Sequence, residues 1–351
     1  MKSPGGRWML AAGLLAVLLL SATTGGGGAT DEHAGALTVG PVPRPPVVET
    51  PPPAGRQVDH LALPAALAAA GLDVGPGTGI YAARVKRVDG ALRYDEFDAG
   101  AGAVDTSFWP ASTVKLAVAV GTLEFLADLG FSGEVEVVTE GQTFVVADLI
   151  QEAIRDSSNE AYDLLLQIVG VDWLNTHFFT AGNGLGNTVV QRSYAGWPVR
   201  WSPAMTFTQG DLTLELPERE ATGTYACPDE GNCSTLLELS ESIRRIVLAD
   251  EIPRSERFAI SHADTSRLRQ ALLETDGFIG AGAAAAVGQD ARVFSKPGES
   301  PDDQCVDSAL VAPADGSRYL VSVFMPADGL DCATVTRVTQ ATLSFLSGPP
   351  R

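Results

Sequence analysis

Ser112 and Lys115 stand three residues apart in the stretch FWPASTVKLAV (108–118), where an apolar helix should begin. That spacing puts both side chains on one helix face, within reach of each other. The chain has only four lysines, Lys2, Lys86, Lys115 and Lys296, so one kept on an apolar helix start suggests chemistry more than solubility. Serine is a poor nucleophile until a base takes its proton, and lysine serves when burial and positive neighbours lower its pKa. The start of a helix adds N–H groups aimed at the same point, which suits a developing oxyanion. A second group lies in DSSNEA, where Ser157-Ser158-Asn159 precedes another helix. Here Ser157 suits a proton relay and Asn159 a donor to a substrate amide carbonyl. The third is Lys296-Pro297-Gly298 in FSKPGES, at the end of a strand. A fixed ammonium there would face a substrate carboxylate, and the glycine would let a ligand backbone approach closely. Singly, each has an ordinary explanation: a cap with a snorkelling lysine, a Ser/Asn helix cap, and a charged strand end before a turn.

The elements that must position these groups follow from periodicity. LALPAALAAAG (61–71) reads as a short helix stopped by glycine. GIYAARV and ALRYDEFDA alternate like paired strands around the turn VDG. A long apolar helix is expected from Ser112 to Leu129, another from Val145 to Ile154, and a third after Asn159. From Gly182 to Glu220 the chain reads as irregular. Helices return at STLLELSESIRRIVLA and SRLRQALLE. Strands follow at ARVFSKPG, CVDSALVAP and RYLVSVFMP, and a helix from Ala333 to Leu346 closes the chain. Strands at both ends can share one antiparallel sheet only if the helical middle is inserted as a second lobe.

The whole chain narrows the partners. It has 351 residues, 45% hydrophobic and 19% charged, enough for a sizeable core. A net charge of -19 argues against nucleic acid and anionic membrane surfaces. Residues 1–24 read as a secretory leader, with Lys2 and Arg7 before the apolar run Met9 to Leu20 and small residues after it. Residues 25–56 are Gly- and then Pro-rich, an extended linker, and a folded domain is expected over 57–349. Export favours disulfides between the four cysteines, with three connectivities open. The compact loop CPDEGNC favours Cys227–Cys233, leaving Cys305–Cys332, with zinc as the alternative. His33, His60, His177 and His262 are scattered, which disfavours a histidine triad.

In this order, Ser112-x-x-Lys115, Ser157-Ser158-Asn159 and Lys296-Pro297-Gly298 resemble the S-x-x-K, S-D-N and K-T-G signatures of the penicillin-recognising serine hydrolases. The similarity is greatest to class A β-lactamases and runs over about residues 58–347. It implies an α/β architecture: an antiparallel sheet built from both chain ends and flanked by helices, an inserted all-helical lobe, and a cleft between them. It further implies Ser112 as nucleophile, Lys115 as base and Ser157 as relay, with Asn159, Lys296, Gly298 and Ser300 on the substrate. The N–H groups of Ser112 and Ser300 would hold the oxyanion. No cofactor and no metal are expected. The partner would be a small β-lactam or a peptidoglycan stem peptide, bound by a monomer.

Departures from the pattern shape the functional expectation. Ser158 replaces an Asp, and Pro297 replaces a Thr, removing a hydroxyl and an N–H. Where class A enzymes carry a water-activating acid, two residues after an arginine, QRSYAGW places Tyr194. Glu215, Glu218 and Glu220 would substitute only if their loop folded back. The strand CVDSALVAP lacks the arginine that often helps hold the substrate carboxylate. The expectation is a secreted or periplasmic serine hydrolase, tethered if the leader stays uncut, that opens β-lactam amides through an acyl-enzyme it releases slowly. A D,D-carboxypeptidase or endopeptidase of peptidoglycan, and a non-catalytic penicillin- or peptidoglycan-binding module, are the alternatives.

Overall fold

Period-two alternation at the two ends of the chain does produce strands of a single sheet. The computed structural model describes residues 57–75, 77–100, 104–228, 231–300, 304–326 and 332–348, so the expected leader and linker lie outside the described residues. In chain order, β1 (Val58–Asp59) and α1 (Ala62–Ala69) precede the hairpin β2 (Gly79–Val88) and β3 (Ala91–Gly100). A 3-10 turn, Ala111–Thr113, feeds α2 (Val114–Asp128), followed by β4 (Glu136–Thr139), β5 (Gln142–Val145), α3 (Val146–Arg155), α4 (Asn159–Val169) and the single turn α5 (Val171–Trp173). Four short strands come next: β6 (Trp201–Ser202), β7 (Met205–Gln209), β8 (Leu212–Leu216) and β9 (Arg219–Glu220). Helices α6 (Leu236–Val247), α7 (His262–Leu273) and α8 (Phe278–Val287) lead to β10 (Arg292–Ser300), β11 (Gln304–Ala312), β12 (Arg318–Pro326) and the last helix, α9 (Ala333–Ser347).

The six-stranded sheet has the order β1-β3-β2-β12-β11-β10. It is antiparallel except for the two-residue β1, which runs parallel to β3. Phe324 of β12 pairs with Gly79 of β2, joining the two chain ends. The β2–β3 turn places Asp89 and Gly90 both at positive φ, 51° and 82°, the backbone that matches the twist of a tight hairpin. One sheet face packs on α1, α8 and α9 through Leu63, Leu67, Ile279, Val321, Val335 and Leu343. The other meets α6 and, beyond it, the inserted lobe. At the centre of that lobe lies α2, buried at every position from Val114 to Leu123. A helix apolar all round has to sit inside, which places Lys115 in the core.

The inserted lobe also holds strands that the sequence reading does not contain. The stretch read as irregular carries β7 and β8, which join β4 and β5 in a four-stranded sheet of order β5-β4-β7-β8, and the pair β6–β9. These strands are five residues or fewer, and Gly210 interrupts them at positive φ, too short for a periodic signal. Helix α8 (FIGAGAAAAV) was also illegible, since runs of Gly and Ala have no apolar stripe.

Candidate active site

The turn at Ser112 is shaped by backbone strain and one close approach. Ala111 has φ 45°, a costly conformation for a residue with a Cβ and one that clusters at functional sites. The Thr113 N–H and hydroxyl both donate to Pro110 O, at 3.1 and 2.5 Å. This fixes the turn and leaves Ser112 half-buried at its tip. The edge strand β10 presses on it: a Cβ on Gly298 would stand 2.7 Å from Ser112 N and 2.9 Å from Thr113 N. Only glycine allows that contact.

Two buried lysines converge on Ser157. Lys115 is wholly buried, and its Nζ donates to Ser157 O and, at 2.6 Å, to Asn159 Oδ1. Lys296, 1% exposed, donates at 2.9 Å to Ser157 Oγ and at 2.9 Å to Pro297 O. Ser157 holds φ 56°, a second strained non-glycine residue, and so turns its carbonyl to one lysine and its hydroxyl to the other. Burial lowers the Lys115 pKa to about 8, against the opposing charges of Asp163 and Glu160. Burial, helped by the Lys115 charge, brings Lys296 down to about 7. Asp307 of β11, fully buried, is pushed up by burial and accepts from Ile279 N at 2.9 Å. It opposes the loss of charge on Lys296.

Ser158 caps α4, its Oγ accepting from Ala161 N at 3.1 Å. One turn further along α4, the buried Asp163 gathers the loop opposite the strand: its two oxygens accept from Tyr194 N (2.8 Å), Ala195 N (2.9 Å) and Trp197 N (3.3 Å). Tyr194 donates its hydroxyl to Ala111 O at 2.8 Å and stacks on Tyr162, with centroids 4.8 Å apart. Burial drives the Tyr194 phenol up to about 12, so it is no base near neutral pH. Glu215, Glu218 and Glu220 do not fill the gap. Their segment forms β8 and β9, and all three side chains are exposed.

The cleft's outer rim is tied by disulfides. Cys227 is bonded to Cys233 and Cys305 to Cys332, and no group of metal-ligating side chains occurs among the described residues. Cys305 lies opposite Glu299 in the β10–β11 ladder, and Gln304 opposite Ser300. Gln304 Nε2 reaches Trp109 O, three residues before Ser112.

Thus Ser112, Lys115, Ser157, Asn159, Lys296 and Gly298 meet at one place, between the strand edge and the inserted lobe, with Ser300 two residues along the same edge. Sequence reasoning missed Asp163, Asp307 and Asn232. An acid in the apolar run AYDLLL, four residues past Asn159 and so on its face, was a readable signal for the first. An aspartate in the apolar strand CVDSALVAP was one for the second. Asn232, whose Oδ1 accepts from Gln191 N and Arg192 N at 2.8 Å, lies in a loop without pattern.

This sheet and inserted lobe form a β-lactamase-like fold. The Beta-lactamase enzyme family matches residues 95–344, and the chain belongs to it. Its fold is shared with a β-lactamase from Burkholderia vietnamiensis (TM-score 0.55, 19% identity, 82% of this chain and 96% of that one). A β-lactamase from Xanthomonas campestris pv. campestris gives TM-score 0.56 at 16% identity over 81% of this chain and 95% of that one. A mutant of PBP-A, solved as its acyl-enzyme complex with penicillin G, gives 0.56 at 16% identity over 80% and 94%. No curated protein matches the sequence.

Proposed function

We propose that this chain is a serine hydrolase that takes the acyl group of a β-lactam amide onto Ser112 and releases it slowly. The observation that carries the reading is the pair of desolvated lysines meeting at Ser157 behind the strained nucleophile turn. With its pKa near 8, Lys115 has a neutral fraction able to accept the Ser112 proton. Ser112 Oγ then bonds to the substrate carbonyl carbon, and the carbonyl oxygen becomes an oxyanion. As the C–N bond breaks, Ser157 gives its proton to the leaving nitrogen and is reprotonated by the neighbouring Lys115 ammonium, which thereby returns the proton it took from Ser112. Its Oγ accepts from Lys296, which leaves the hydroxyl hydrogen free to point at the substrate, and Lys296 suits a substrate carboxylate beside it.

The oxyanion donors are the N–H of Ser112 and one from β10. Pro297 has no N–H, and strand prolines keep that side on an open edge. N–H directions alternate along a strand, so the same edge receives the N–H of Glu299, while that of Ser300 turns toward β11. This moves the second donor from Ser300 to Glu299.

Release needs a base for water, and Tyr194, with its hydroxyl committed to Ala111 O, does not supply one. The same residue favours a second reading, a D,D-peptidase acting on peptidoglycan stem peptides, where the acceptor is an amine or a slowly entering water. We place the protein outside the cytoplasm, as a monomer. The test is intact mass after incubation with a penicillin, followed by turnover of a chromogenic cephalosporin. A stable adduct absent in Ser112→Ala, with turnover far below an efficient lactamase, is expected. An adduct that survives Ser112→Ala sinks the reading.

A further inference from the structure

The loop that carries Tyr194 also carries a cation with no carboxylate partner among the described residues. That residue, Arg192, is exposed. Its guanidinium lies over the Trp109 ring, 5.9 Å from the centroid. The backbone beneath is fixed: Arg192 N donates to Asn232 Oδ1 at 2.8 Å, and Arg192 O accepts from Tyr162 Oη at 3.0 Å and Asn232 Nδ2 at 3.2 Å. Trp109 is held in turn by Gln304, and it backs onto Gly231 of the Cys227–Cys233 loop, where a Cβ would stand 3.1 Å from its ring. A rigid backbone and an aromatic shelf reduce the rotamer freedom that an exposed arginine otherwise loses on binding.

The strand edge orders these groups along one line. Lys296 lies beside Ser157, Gly298 beside Ser112, and Ser300, paired with Gln304, lies toward Trp109. Lys296 to Ser300 spans about 13 Å of strand, with the nucleophile midway. Lys296 serves the leaving-group side, so Arg192 and Trp109 stand on the acyl side. In a chain of net charge -19, a cation without an ion pair among the described residues is a local attraction for anions on that rim.

We infer that Arg192, presented on Trp109, binds a carboxylate on the acyl side of the substrate, so that the preferred substrates carry an anionic group on each side of the scissile amide. This rests on the reading of Ser112 as the acylated residue, which fixes which side is which.

The test uses a pair of probes, N-glutaryl-D-alanyl-D-alanine and N-pentanoyl-D-alanyl-D-alanine, which differ in one terminal carboxylate. Their affinities are measured by calorimetry on the Ser112→Ala protein, where no acylation intervenes. The glutaryl compound is expected to bind about five- to tenfold tighter, the range of a charge-assisted bond at an exposed site. Arg192→Gln in that background should bring the ratio to about one, and Arg192→Lys should leave part of it. Without any change at Arg192, raising salt from about 0.1 M to about 1 M should collapse the preference. Equal binding of the two probes, binding of neither, or a preference that persists in Arg192→Gln overturns the inference. The acylation reading is judged separately, by the penicillin adduct on unmodified protein. A preference seen without an adduct leaves the subsite standing and removes the catalysis, and an adduct without a preference does the reverse.

Discussion

The two walls of the cleft are built on opposite electrostatic plans. The wall of β10, the nucleophile turn and Ser157 holds two buried ammonium groups whose pKa values are driven toward neutrality. Across from it, the loop 191–197 is pinned by neutral amides and phenols on the buried Asp163 and Asn232, and its tyrosine is spent on Ala111 O. The first wall can move protons at neutral pH, whereas the second has none to move. On the proposed reading, making the acyl bond would depend on the first wall and breaking it with water on the second, so the two half-reactions would be supported unequally.

Lys115→Ala should give the largest effect after loss of Ser112, because it removes the proton acceptor from the working wall. Acylation by penicillin should slow by about 10²–10⁴-fold, the usual contribution of a positioned base, measured by the rate of adduct formation. Near-normal acylation would show that another group takes the proton. The silent wall is challenged by Tyr194→Glu, which installs a carboxylate where a water-activating acid is missing. Loss of the adduct should quicken by about tenfold or more, with placement short of ideal limiting the gain. An adduct as long-lived as before would mean the loop lacks a path for water, not only a base.

A pH profile distinguishes the walls without mutation. Acylation should rise with pH as Lys115 loses its proton through about 8, and fall as Lys296 loses its charge through about 7. The product is a narrow bell centred between the two values, with apparent pKa values belonging to the coupled pair. A rise that continues to pH 10 would mean that Lys296 need not be charged. The smallest effect is expected from Asp163→Asn, which turns an amide NH2 toward backbone donors now satisfied by a carboxylate. Stability should fall by about 2 kcal/mol, read by denaturant unfolding, and no change would show that the loop holds itself.

Much of the first wall was legible in the sequence, and little of the second. Ser112-x-x-Lys115 and Lys296-Pro297-Gly298 could be read because local spacing places them on a helix face and a strand edge. The sheet joining both chain ends followed from alternation in GIYAARV and RYLVSVFMP. The proposed shift of the second oxyanion donor from Ser300 to Glu299 did not, because N–H direction depends on ladder parity, which here follows from Pro297. Asp163 and Asn232 act on a loop some 30 to 40 residues away in sequence, and such contacts leave no periodic trace. The small strands β7 and β8 were hidden because five residues are too few to separate alternation from chance.

The order of the main sheet sets when the centre comes into being. Strand β12 lies between β2 and β11, so the hairpin carrying Lys296 and Gly298 joins the strands made first only through the strand made last. Such pairings between distant segments form slowly. A ribosome or translocation channel that has delivered Ser112 and Ser157 has released a serine without its wall, and Lys296 reaches Ser157 across 139 residues. On the proposed reading, the Ser112 hydroxyl would therefore be an ordinary alcohol throughout synthesis, and would become a nucleophile only once β10 and β12 have joined the sheet.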